Sequence, residues 1–212
     1  MRSSESFSNQ RVGIFVDAQN LYHSAKNLYR GRVNYAELMR HLVAGRQLIR
    51  AMAYVVKSEG VEPPKANPMR PASPRLQRGE RDRRAWDGVD DFGGQTERPD
   101  RGLSSEASFF DALTKAGLEL RMKDLQIFGD GLKKADWDVG MAVDAIRMAS
   151  FLDVVILVTG DGDFVPLVDY LKWGLGRLVE VAAFHRSASG KLQEAADKFV
   201  NIEEIPRVIL KR

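Results

Sequence analysis

The run VVILVTGDGD carries five consecutive apolar residues, Val154 to Val158, almost directly into two acids one residue apart, Asp161 and Asp163. A second apolar run, GIFV, ends at once in Asp17. A third acidic stretch, KKADWDVGMAVDA, carries Asp138 and Asp144. The chain has no cysteine and its three histidines, His23, His41 and His185, are scattered, which argues against thiolate or histidine zinc sites. Carboxylates gathered without Cys or His are the ligand set of Mg²⁺ or Mn²⁺, hard ions that prefer oxygen and keep several waters. Such an ion can polarise a phosphoryl oxygen and lower the pKa of a bound water, the chemistry by which metal-dependent nucleases cut phosphodiesters. Without it, the acids would repel one another and an anionic substrate alike.

Those acids can meet only if the elements before them are neighbours. GIFV and VVILV read as strands buried on both faces, which suits the centre of a parallel sheet. Helical spacing follows the first in AQNLYHSAKNLY, and recurs in NYAELMRHLVAG, where Asn34 is a plausible N-cap and Gly45 a stop. Strand QLIRAMAYVV (47–56), helix SEASFFDALTKAG (105–117) and strand LELRMKDL continue the alternation. Helix WDVGMAVDAIRMASF, strand DVVILVT, helix FVPLVDYLKWG, strand RLVEVAAF, helix SGKLQEAAD and strand FVNIEEI complete it. This order predicts an α/β fold, a three-layer α/β/α arrangement around a central, mainly parallel sheet. In such sheets ligands bind outside the carboxyl ends of the strands, where Asp17, Asp161 and Asp163 fall.

Each acid also has a plainer reading. Asp163 can cap the helix that follows it and Asp136 can serve as a simple N-cap. Asp138 can answer a helix dipole, and Asp144 can pair with Arg147 or a lysine. Asp144 is flanked by Ala142, Val143, Ala145 and Ile146, and a carboxylate in such company is costly unless it is paired or bound to a cation.

The pieces VGIFVDAQNLY (12–22), KKADWDVGMAVDA (133–145) and VVILVTGDGDFVPLVDYLKWG (154–174), with VEVAAF and KLQEAADKFVNI after them, resemble the NYN domains of the PIN-like nuclease superfamily, and within it the LabA-like group. The resemblance implies a PIN-like sheet with a Mg²⁺- or Mn²⁺-dependent ribonuclease site at its carboxyl rim. It assigns Asp17, Asp138, Asp161 and Asp163 to the metal, with Asp144 supplementing or supporting them. Asn20 would orient a ligand or water, Thr159 would shape the turn and meet substrate, and Lys134 would bind phosphate. RNA is the implied partner. A LabA-like module that binds RNA or regulates, with little or no catalysis, is the alternative. An Asp-x-Asp phosphatase of the haloacid dehalogenase type fits poorly, because VDAQN follows the first strand. An EF-hand is excluded by the missing terminal glutamate.

With 212 residues, 44% of them hydrophobic, the chain is long enough for one domain with a substantial core. We expect a disordered tail over 1–10 and a single domain over 11–212, interrupted by a disordered insertion at 57–103. That insertion holds six of the eight prolines and the cluster Arg78, Arg81, Arg83 and Arg84 beside Trp86. It is a possible platform for protein partners. A net charge of +3 permits a polyanionic partner without requiring one. No signal peptide or membrane span is visible, and the absence of cysteine suits a reducing cytoplasm. Other phosphate-binding candidates are Lys123, Lys133, His185, Arg186 and Lys191, and Tyr22, Trp137 and Phe164 are candidates to stack a base. Homo-oligomerisation is compatible with everything read here.

Overall fold

The computed structural model describes residues 8–57, 105–124, 126–127, 133–134 and 137–211. Its centre is a six-stranded sheet built from β1 (Arg11–Asp17), β3 (Gln47–Lys57), β4 (Glu119–Asp124), β7 (Val154–Val158), β8 (Leu178–Ala183) and β9 (Lys198–Asn201). The spatial order is β4-β3-β1-β7-β8-β9, and every pairing is parallel. The two uniformly apolar runs sit at the middle, side by side, because only strands covered on both faces can bury every residue.

The helices divide between the two faces. On one, α1 (Ala18–Tyr29), α2 (Tyr35–Val43) and α3 (Ser105–Lys115) bury Leu21, Ala25, Leu38, Leu42 and Leu113 against Ile14, Val16 and Val55. On the other, α4 (Asp138–Met148), α5 (Val165–Asp169) and α6 (Gly190–Ala195) bury Met141, Ala145, Leu167 and Leu192 against Phe15, Tyr54 and Leu157. The strands' period of two sends alternate residues into these separate cores. The result is the expected three-layer α/β/α fold.

The chain builds outward from β1 in one direction through β3 and β4, then returns to the other side of β1 with β7, β8 and β9. The reversal lies between β1 and β7. At such a switch point the connections leave the sheet in opposite directions and open a crevice at the carboxyl ends.

Four details depart from the sequence reading. Lys57, counted with the insertion expected from residue 57, is the last residue of β3. Residues 8–10, assigned to the tail, make a turn whose Gln10 carbonyl accepts from the Gln47 amide at 3.0 Å. The rest of the tail and of the insertion, with Arg78, Arg81, Arg83, Arg84 and Trp86, lie outside the described residues. Two short antiparallel pairs were also unforeseen, β2 (Gly31–Val33) with β10 (Ile209–Lys211) and β5 (Gln126–Ile127) with β6 (Lys133–Lys134). Elements of two or three residues are too short to show a period. The helix expected over 164–174 is a composite, a 3-10 turn, then α5, then a π turn over Tyr170–Gly174.

Candidate active site at the carboxyl rim

Asp17 is both the last residue of β1 and the N-cap of α1. One carboxylate oxygen accepts from the Asn20 amide at 3.0 Å, satisfying an orphan donor of the helix. The other accepts from the Thr159 hydroxyl at 3.4 Å. Thr159 follows β7 and is buried, and its Oγ1 also accepts from the Asp161 amide at 3.2 Å. The Asn20 side-chain oxygen in turn accepts from the Gly160 amide at 3.1 Å. Two strand ends far apart in sequence are thereby locked together by three side chains. The Asn20 side-chain oxygen and the Thr159 hydroxyl are thus both engaged by protein partners.

Asp161 caps the 3-10 turn Gly162–Phe164 by accepting from the Asp163 amide at 3.0 Å. Phe164 points into the core beneath it and is not available to stack a base. The turn's backbone is fixed from the other side as well, since the Gly160 carbonyl accepts from the Ser189 amide at 2.9 Å. A Cβ on Gly160 would stand 3.0 Å from the Ser187 carbonyl oxygen and 3.2 Å from the Ala188 Cα, so the facing backbone would have to give by a few tenths of an ångström. Gly160→Ala therefore costs about 1–3 kcal/mol by overpacking, read as a lower denaturant midpoint in urea.

Asp138 arrives on the first turn of α4, directly after Trp137. The indole Nε1 donates to the Val55 carbonyl at 2.8 Å and the ring packs on Tyr54 at 5.5 Å, which ties the start of α4 to the end of β3. Gly140 leaves the space that the ring needs, because a Cβ there would lie 2.6 Å from the indole. Trp137 thus works as an anchor. Trp137→Phe keeps the ring and loses the hydrogen bond, and we expect it to lower stability by about 1 kcal/mol in chemical denaturation.

Burial pushes the Asp17 carboxyl up from 3.8 to about 6, and the charges of Asp138 and Asp161 push the same way, against the hydrogen bonds from Asn20 and Thr159. Three of the four predicted acids therefore share one electrostatic neighbourhood. Asp163 is exposed in the next turn, and it is not among the groups acting on Asp17.

Asp144 is separate. Its Oδ2 accepts from the Tyr54 hydroxyl at 3.0 Å and lies 3.5 Å from Nε of Arg121. Burial first, then the Asp144 charge, hold the Tyr54 hydroxyl protonated well above its ordinary range, as a donor requires. Tyr54 and Arg121 compensate Asp144 among its apolar neighbours in sequence, and among the described residues Arg147 does not pair with it. Nothing in the spacing pointed to Tyr54 or Arg121.

Of the phosphate-binding candidates, His185 and Arg186 form an exposed turn after β8 and Lys191 is exposed on α6. The Lys123 ammonium lies 5.9 Å from the centre of the Trp137 ring. Lys133 and Lys134 are placed by their backbone alone, in β6, and Asp136 lies outside the described residues. Tyr22 packs edge-on to Phe109.

The donor set fits a hard divalent cation. It consists of oxygen, the neighbours that act on Asp17 by charge are acids, and a cation relieves their mutual repulsion. Among the described residues no three such groups are gathered tightly enough to cage an ion by themselves. Mg²⁺ does not require a cage, since it is usually held by one or two carboxylates and retains water.

Comparison with known proteins agrees with this architecture. The chain matches the NYN domain family over residues 11–77 and 93–203. It is similar to the low amplitude and bright protein LabA of Synechococcus elongatus, at 26% identity over 112 residues, which is 50% of this chain and 60% of that protein. The match thus spans less than two thirds of that relative. A solved structure of a protein of unknown function from Vibrio parahaemolyticus superimposes over 99% of this chain and 100% of its own, with a TM-score of 0.69 and 27% identity.

Proposed function

The chain belongs to the NYN domain family, within the PIN-like nuclease superfamily and close to its LabA-like group, and on that premise we propose that it is a divalent-metal-dependent endoribonuclease. The observation that carries the reading is Asp17, a carboxylate raised to about 6 by burial and by Asp138 and Asp161, at the switch point of a parallel sheet. Asp17, Asp138 and Asp161 would hold Mg²⁺ or Mn²⁺, with Asp163 in reserve on the exposed turn. When bound, the ion would supply Lewis-acid polarisation of the scissile phosphoryl oxygen. Asn20 and Thr159 keep Asp17 and Asp161 in place, so that no reorganisation is needed when substrate arrives. His185, Arg186, Lys191 and Lys134 are assigned to flanking phosphates, and the reaction is hydrolysis of RNA phosphodiesters in the cytoplasm.

One observation favours a second reading, an RNA-binding regulatory module that cuts little or not at all: the described acids stop short of a three-ligand cage. Incubating several RNAs with Mg²⁺ or Mn²⁺ separates the two. Cleavage by the native chain that is lost in Asp17→Asn and Asp161→Asn supports the ribonuclease. Binding without cleavage supports the regulator, and equal cleavage by all three chains removes the proposed site.

A further inference from the structure

Beside the acidic site, on the α4 face of the sheet, lies a concave groove of about 450 Å³, a volume in the range of small-ligand sites. Its floor is the uncovered edge of the sheet, where β4 turns Glu119, Arg121 and Lys123 to one side by the alternation of a strand. Its wall is the second half of α4. Arg50, Arg121 and Arg147 line it, with Phe151 at its far end, 61% exposed.

The groove starts two strands from Asp17, beyond the buried Tyr54, and runs toward the amino ends of the strands, where Arg50 pairs in register with Gly13 and Glu119 with Met52. Arg121 pairs in register with Tyr54, and Tyr54 with Asp17. The three form one row across β4, β3 and β1, so Arg121 stands two strand spacings, about 10 Å, from Asp17. Arg147 lies nine residues along α4 from Asp138, about 14 Å of helix.

The charges there are unequal. Glu119 is engaged by Arg50 at 2.7 Å and Asp144 by Tyr54, while Arg147 has no ion pair among the described residues. Arg121 holds Asp144 only at 3.5 Å and is half exposed. Arg147 and the outer nitrogens of Arg121, whose Nε faces Asp144, are therefore open to a phosphate, which guanidinium nitrogens match in a bidentate way that lysine cannot.

We infer that this groove binds the backbone of single-stranded RNA flanking the acidic site, with phosphates at Arg121 and Arg147 and a base against Phe151. The inference rests on the nucleic-acid reading of the site, but it concerns binding and not the cut. Charge complementarity selects the phosphates, and an aromatic face accepts any base.

The test is fluorescence anisotropy of a labelled 12-nucleotide single-stranded RNA with the full chain in EDTA, across a salt series. The Arg121→Ala/Arg147→Ala double variant should bind about tenfold more weakly. Its slope of log affinity against log salt should be shallower by about 1.4, as expected for two lost contacts to a single strand. Arg147→Glu, a change at an exposed position, should weaken binding without altering the melting temperature. Unchanged affinity and slope in these variants would overturn the inference, as would failure of the native chain to bind at low salt. Arginine-dependent binding by a chain that never cuts with Mg²⁺ or Mn²⁺ would support the groove and defeat only the ribonuclease reading.

Discussion

Asp17→Asn should abolish cleavage and stabilise the protein in the same stroke. On activity, the loss should reach at least about a hundredfold, the scale on which a preorganised electrostatic group contributes to catalysis. On stability the sign is opposite. The folded protein holds the Asp17 proton to about 6, above the ordinary value of 3.8, because burial and the neighbouring acids disfavour its charge. Below pH 3.8 the group is protonated in both states and contributes nothing. As pH rises from there to about 6 the unfolded chain releases its proton first, so folding stability falls, and the full penalty stands above about 6. The difference between 3.8 and about 6 corresponds to about 3 kcal/mol in the metal-free protein. Asparagine carries no such penalty, and its side-chain oxygen can still cap α1. Thermal unfolding in EDTA should show the variant melting several degrees above the native chain at pH 8, with the advantage gone at pH 4. A variant that melts lower at pH 8 would mean that Asp17 is held by favourable charge, not strained by like charge.

The second large effect lies away from the site. Glu180, in the middle of β8, is buried and paired with Arg46 through two bonds of 2.8 and 3.1 Å. The same arginine donates to the carbonyls of Leu42 and Val43, fixing the end of α2. Lys198 stands farther off at 3.8 Å, and it is largely exposed. Glu180→Ala strands a guanidinium in the interior, and removing one partner of a buried pair costs about 3–5 kcal/mol. For a domain of this size that lowers the melting temperature by roughly 10 °C. Removing both partners with apolar replacements, Glu180→Leu with Arg46→Met, should recover most of the loss, because neither charge is left alone. Cleavage per folded molecule should be unchanged by the double variant, since the pair is on the opposite face of the sheet from α4.

What the sequence made legible follows from chemistry that is local. GIFV and VVILV were readable as central because burial on both faces explains four and five apolar residues in succession, and their placement side by side brought Asp17 to Asp161. The helix caps were equally plain at Asn34, whose side chain accepts from the Glu37 amide. Asp144 was harder. Its neighbours in sequence are apolar, but its compensation comes from Tyr54, 90 residues away, and no spacing rule reaches that far. The same limit hid the Arg46 and Glu180 pair, 134 residues apart. Thr159 and Asn20 were recognised as belonging to the site, but the partners of the hydroxyl and the amide oxygen, Asp17 and Gly160, lie at least 140 residues from them in sequence and were not legible. The short strands β2 and β10 owe their existence to each other and left no pattern of their own.

The central claim is that Asp17, Asp138 and Asp161 share a divalent ion. Anomalous diffraction from crystals soaked in Mn²⁺ tests it most directly. A manganese peak bonded to Asp17 and to at least one of Asp138 and Asp161 is expected, absent from Asp17→Asn crystals treated in the same way. A peak that avoids Asp17, or one that persists unchanged in the variant, would contradict it.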